Sequence, residues 1–85
     1  MRLADELKLF KLTIDEDAFR DLLVDIFHAF CPSWSVEHLL YHWWDAGLYC
    51  EQVRIALRRD ENSELDAFIL RVLNNIRKRG EGEVS

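Results

Sequence analysis

Apolar positions recur along the chain at spacings of three and four and never alternate strictly with polar ones, which is the period of a helix and not of a strand. Leu3, Leu7 and Phe10 predict a short first helix. Thr13 followed three residues on by Glu16 has the form of a capping box, and it opens a second helix from Ile14 to about Phe30. On that helix Ala18, Phe19, Leu22, Leu23, Ile26, Phe27 and Phe30 share one face, and Pro32 closes it. Ser35 is the expected N-cap of a third helix over Val36 to Asp45, with Val36, Leu39, Leu40 and Trp43 turned to the core and Gly47 as its C-terminal stop. A fourth helix is expected from Tyr49 to Arg59, interrupted by Asp60, Glu61 and Asn62. Ser63 with Asp66 then caps a fifth over Glu64 to Arg79, which buries Leu65, Phe68, Ile69, Val72, Leu73 and Ile76. Gly80 is read as its end and residues 81–85 as a disordered tail. The expected fold is therefore all-α, a compact bundle of about five short helices in a single domain over residues 1–80.

Composition changes this picture little and narrows the function. A chain of 85 residues makes one domain with a modest core, which argues against a deep catalytic cleft. The glycines are Gly47, Gly80 and Gly82, so no glycine-rich phosphate loop is present. No serine or cysteine nucleophile sits in a recognisable signature. Catalysis is not expected, and no cofactor is implied. No apolar run approaches the roughly 20 residues a bilayer span needs, so no membrane partner is expected and the expected location is intracellular, in the cytoplasm. Cys31 and Cys50 lack the dense spacing of a disulfide framework and are read as reduced thiols, Cys50 the more exposed of the two.

Charge is uneven. The formal net charge is −5, but residues 1–53 carry −6 and residues 54–85 carry +1. A field of that sign opposes binding to a phosphate backbone, where affinity comes from counterions displaced by Lys and Arg, so a nucleic-acid partner is disfavoured. Arg54, Arg58 and Arg59 raise a helix-turn-helix reading, yet Glu51, Asp60 and Glu61 flank them. Asp17, Asp21 and Asp25 repeat every four residues opposite the apolar face of the second helix, with His28 completing the row. Like charges at that spacing weaken an isolated helix, so the row is either a solvated face or a docking surface for a basic partner. His38, His42 and Asp45 have the spacing of metal ligands on one helix face, with Cys31, Cys50 and His28 as further candidates. That face is opposite the predicted core, however, and the reading taken is an exposed polar face with no metal.

The stretch Ala46-Gly47-Leu48-Tyr49-Cys50-Glu51-Gln52-Val53-Arg54-Ile55-Ala56-Leu57, with Asn62-Ser63-Glu64-Leu65-Asp66-Ala67 after it, resembles a ubiquitin-associated (UBA) domain. That family has three helices, a Met-Gly-Phe/Tyr type loop after the first, an E-x-V-x-x-A-L pattern in the second and an Ala-bearing third. Glu51, Val53, Ala56, Leu57 and Ala67 stand in that order here, while Ala46 replaces the loop methionine and Leu48 the loop aromatic. The resemblance covers residues 36–73. It implies a UBA-like arrangement of the last three helices and a ubiquitin-like partner at Ala46, Gly47 and Leu48.

Two functions follow as expectations. The first is a protein–protein interaction module that presents a small apolar and charged helical surface, using Ala46, Gly47, Leu48, Leu70 and Arg71. The alternative is a small acidic regulator or inhibitor, of the kind a virus or mobile element encodes, whose Asp17, Asp21 and Asp25 dock on a basic nucleic-acid-binding surface of its target. Leu70 lies off the near-heptad row Leu65, Ile69, Val72 and Ile76, so a homodimer through the last helix is also expected.

Overall fold

A computed structural model describes the backbone of residues 2–84 and the side chains of residues 2–78. Among the described residues there are five helices and no strand, in the order α1 (Leu3–Leu9), α2 (Glu16–Phe30), α3 (Val36–Tyr41), α4 (Trp43–Leu57) and α5 (Ser63–Val84). The all-α class and the number of elements are those the spacing predicts. The expected tail lies outside the described side chains.

The helix starts depend on local chemistry, and three differ from expectation, two of them in the capping residue. Asp15, not Thr13, caps α2: its carboxylate accepts from the Ala18 backbone N–H at 2.9 Å. Glu16 is thereby freed from a capping box and accepts instead from the Ala4 N–H at 3.2 Å, covering an open donor at the start of α1, whose own N-cap Arg2 offers no acceptor. Asn62, not Ser63, caps α5, accepting from Glu64 N–H at 3.0 Å and Leu65 N–H at 3.1 Å. Ser35 caps α3 as expected, taking the His38 N–H at 3.1 Å.

The largest departure is between α3 and α4. The third helix stops at Tyr41, and a single extended residue, His42 (φ −110°, ψ 85°), separates it from a fourth that begins six residues earlier than expected, at Trp43. Gly47 is consequently an interior residue of α4 and not a stop, and Ala46, Gly47 and Leu48 are helical and not a loop. The bend lets the short α3 lie against both α4 and α5. It also moves Trp43 off the core face on which a straight helix from Val36 would have placed it. Trp43 is exposed.

The domain measures 33 × 28 × 18 Å, so its thin dimension is about two helix diameters at roughly 10 Å each. Helix α2 packs on α1, α4 and α5, and α4 packs on α5. Phe19, Leu23 and Phe27 of α2 meet Tyr49, Cys50 and Val53 of α4 and Leu65, Phe68, Ile69 and Leu73 of α5 in one buried cluster. Phe68 lies between two rings, Phe10 at 5.0 Å and Phe19 at 5.6 Å between centroids, which joins the end of α1 to the core. Both cysteines are buried, so Cys50 is not the exposed thiol the sequence implies. Leu70 is half-buried and packed against this cluster.

A domain two layers thick leaves every helix with an outer face. That of α4 is unusual.

Candidate functional site: the outer face of helix α4

Viewed along its axis, α4 is apolar on two opposite sides. Ala46, Tyr49, Cys50 and Val53 face inward and are buried. At about 100° per residue, Trp44, Leu48 and Ile55 fall on the opposite side within a narrow stripe, and all three are exposed. Trp43 lies beside Trp44, the two indoles edge to face at 5.6 Å. Tyr41, just across the bend, is also exposed. The exposures are large enough to exclude a core role: Tyr41 79%, Trp43 78%, Trp44 65%, Ile55 61% and Leu48 37%. Single exposed apolar residues need no explanation, but two tryptophans, a leucine and an isoleucine on the outer side of one helix do.

Grooves run along both flanks of the stripe. One, of about 470 Å³, is bounded by Trp43, Trp44, Gly47, Leu48 and Glu51 and closed at its far side by Arg54 and Glu61. The other, of about 380 Å³, lies between α4 and the end of α2 and is lined by Ile26, Ala29, Phe30, Gln52, Ile55 and Ala56. Gly47 supplies the floor of the first. A methyl group added there would meet nothing within 4 Å, and its backbone is ordinary right-handed helix. A mid-helix glycine costs about 0.5–1 kcal/mol relative to alanine, so the fold gains nothing from it.

Charged groups frame the stripe without entering it, except Glu51. Arg54 is turned toward α5, where its Nε donates to Asp66 Oδ1 at 2.7 Å. Arg58 closes α4 in a left-handed conformation (φ 58°). Arg59 donates to the Lys11 backbone carbonyl, tying the end of α4 to the turn after α1. Two of the three arginines that a helix-turn-helix reading would need are therefore committed to intramolecular bonds.

The other residues singled out in the sequence are scattered. Ala46 is buried on the inner side of α4 and presents no side chain to a partner, whereas Gly47 and Leu48 belong to the exposed patch. Arg71 is exposed but occupied: it bonds to Glu6 and lies 5.6 Å from the centre of the Phe68 ring. Asp17, Asp21 and Asp25 are all exposed on the outer side of α2. Asp17 accepts from Arg20 at 3.4 Å, so the row is partly neutralised at its first position. His38 and His42 stack face to face at 4.6 Å between centroids, with Trp34 4.3 Å from His38. Among the described residues no three His, Cys, Asp or Glu side chains are grouped to hold a metal ion.

Beneath the patch the polar groups are quiet. Tyr49 Oη donates to the Leu23 carbonyl at 2.7 Å. Burial pushes the Cys50 thiol up to about 12, helped by the Asp66 carboxylate and opposed by Arg54. Burial, with a smaller contribution from Asp45, also raises Cys31. Both thiols stay protonated at neutral pH and are poor nucleophiles.

Tyr41, Trp44 and Ile55 are the site residues that sequence reasoning missed. The signal was present in the spacing of Trp44, Leu48 and Ile55, but it becomes a stripe only when the helix is begun at Trp43. Among the described residues no helix is long and apolar enough to cross a membrane. Comparison with protein-family models, with curated proteins and with solved structures gave no match.

Proposed function

We propose that this domain is a protein-binding module whose partner seats on the outer face of α4, over Trp44, Leu48 and Ile55 and the grooves beside them. The observation that carries the reading is the second apolar side of α4, since a monomer in water gains nothing from exposing two tryptophans, a leucine and an isoleucine together. Aromatic residues with one charged neighbour, set in a shallow relief of ridge and groove, have the composition of the centre of a protein interface. The resemblance to UBA domains over residues 36–73 makes ubiquitin the first partner to titrate, at a Leu48 that stands on a helix here and not in the family's loop.

Binding is tested with the immobilised 85-residue chain against the Leu48→Asp protein, confirmed folded by circular dichroism. A charge placed in the apolar contact should abolish capture. The triple Asp17→Asn, Asp21→Asn, Asp25→Asn protein should bind as the parent does. Full binding by Leu48→Asp, with loss in the triple variant, would replace this reading with that of an acidic regulator docking through α2.

A further inference from the structure

The groove beside Trp44 and Leu48 runs from aromatic to acidic. Along α4, Trp43, Gly47 and Glu51 follow one another every four residues and so fall in one row. The middle member has no side chain, and a methyl group added to it would meet nothing within 4 Å. The row therefore holds a gap between an indole and a carboxylate, about 12 Å apart along the axis at about 1.5 Å per residue. Trp44 stands beside Trp43 with the two rings at 83° to one another, so the aromatic end of the gap offers surfaces in two directions. Glu61, from the turn before α5, lines the same groove of about 470 Å³.

Charge selects the occupant. Arg54 is the cation of this groove, and its charge is met within the domain by Asp66 at 2.7 Å. Glu51 and Glu61 are both exposed, and neither has an ion pair or a hydrogen-bond partner among the described residues. Arg58 and Arg59 lie past Glu61 in a separate groove that also contains Asp60, and Arg59 is held by the Lys11 carbonyl. Two carboxylates are thus left unanswered beside two indoles, in a chain of formal charge −5. A cation is attracted to both kinds of group, through the quadrupole of the ring and the charge of the carboxylate. Arginine matches them best, because its planar guanidinium lies flat on an aromatic face while its N–H fork reaches a carboxylate. It also gives up its hydration more readily than a lysine ammonium does.

We propose that the outer face of α4 receives its partner protein through an arginine, whose guanidinium enters the gap over Gly47, lies against the indoles of Trp43 and Trp44 and pairs with Glu51. Glu61 faces it from the far side of the groove, and an apolar neighbour of that arginine rests on Leu48. The proposal rests on the reading of this face as a protein-binding surface and names the chemistry of what it binds. It also gives Gly47 a role that the helix does not, since the residue costs helix stability and keeps the gap open.

Titration of the full chain with the blocked tripeptide acetyl-Leu-Arg-Leu-amide, followed by the indole N–H resonances, reads the outcome. The expected result is saturable movement of the Trp43 and Trp44 signals, with that of Trp34, which stacks on His38, left nearly in place. The same peptide with citrulline, neutral and of nearly the same shape, should bind about fivefold more weakly or worse, and the lysine peptide should fall between the two. Affinity for the arginine peptide should drop as salt rises, because salt screens the attraction. Glu51→Gln and Glu61→Gln together should lower it about threefold or more. Gly47→Leu should remove binding without lowering the thermal midpoint, since it fills the gap and improves the helix. No binding at millimolar peptide, equal binding of the citrulline or the lysine peptide, or full binding by the folded Gly47→Leu protein would overturn the proposal. If the arginine peptide fails while ubiquitin or another protein is captured in a Leu48-dependent way, the binding face stands and arginine is not what it reads. If Leu48→Asp also captures that protein fully, the reading of the face fails as well.

Discussion

The Tyr49 hydroxyl donates to the carbonyl of Leu23 across 2.7 Å of buried space, joining the inner side of α4 to the middle of α2. The Leu23 carbonyl lies inside α2, where one lone pair serves the helix ladder, so the hydroxyl takes the second. This bond fixes the rotation of α4 about its axis, and with it which residues of α4 face out. The outer face of α4 is in this sense set from behind.

Tyr49→Phe keeps the ring and removes that bond. It should lower unfolding stability by about 1 kcal/mol, the net worth of one hydrogen bond whose acceptor is still satisfied within its helix. Urea unfolding followed by circular dichroism measures it. A loss several times larger would mean that the hydroxyl holds more than the Leu23 carbonyl.

Gly47→Ala should raise stability by about 0.5–1 kcal/mol, because the residue is helical with open space around it and alanine loses less backbone entropy. The thermal midpoint should rise accordingly. The sign is diagnostic: if residues 46–48 formed a loop with a left-handed glycine, the same change would destabilise.

Trp43→Ala and Leu39→Ala should separate by several-fold although both sit near the bend. Leu39 is fully enclosed, and its truncation should cost about 2–5 kcal/mol. Loss of the exposed Trp43 should fall within about 0.5 kcal/mol while weakening attachment at the α4 face. A costly Trp43→Ala would show that α3 continues as one straight helix into α4.

Alkali should unfold the protein from within α4. The Cys50 thiol is held at about 12 against an ordinary 9.0, chiefly by burial, and burial likewise raises the Tyr49 phenol above its usual 10.0. Each group is neutral in the folded protein and ionises more readily once unfolded. The stability they contribute is therefore complete below 9.0 and is lost as pH climbs toward 12. Stability measured across that range should fall, less steeply in Cys50→Ala than in the parent, and neither native thiol should react with a disulfide reagent at neutral pH. A flat profile would contradict the burial of both groups.

How far the sequence reaches differs from element to element. Spacing of three and four determined the all-helical class, the single layer of core residues on α2 and α5, and the Ser35 cap, because those depend on local geometry and on one apolar stripe per helix. Leu48 is singled out by the resemblance to a UBA loop, whereas it stands on the outer side of a helix. Asp15 and Asn62 each have a competing hydroxyl acceptor close by, Thr13 and Ser63, so residue type alone does not settle which one caps the helix; that is decided by where the preceding chain must enter. The bend at His42 has no marker at all, being neither proline nor glycine. It exists because Leu39 on α3 and Val53 on α4 have to meet the same core from two directions, and that is a property of the packed domain. Helix α4 carries apolar residues on both sides, so its periodicity does not say which side is buried. Only the tertiary structure, by setting Tyr49 against Leu23 and Arg54 against Asp66, turns Val53 inward and leaves Trp44, Leu48 and Ile55 facing water.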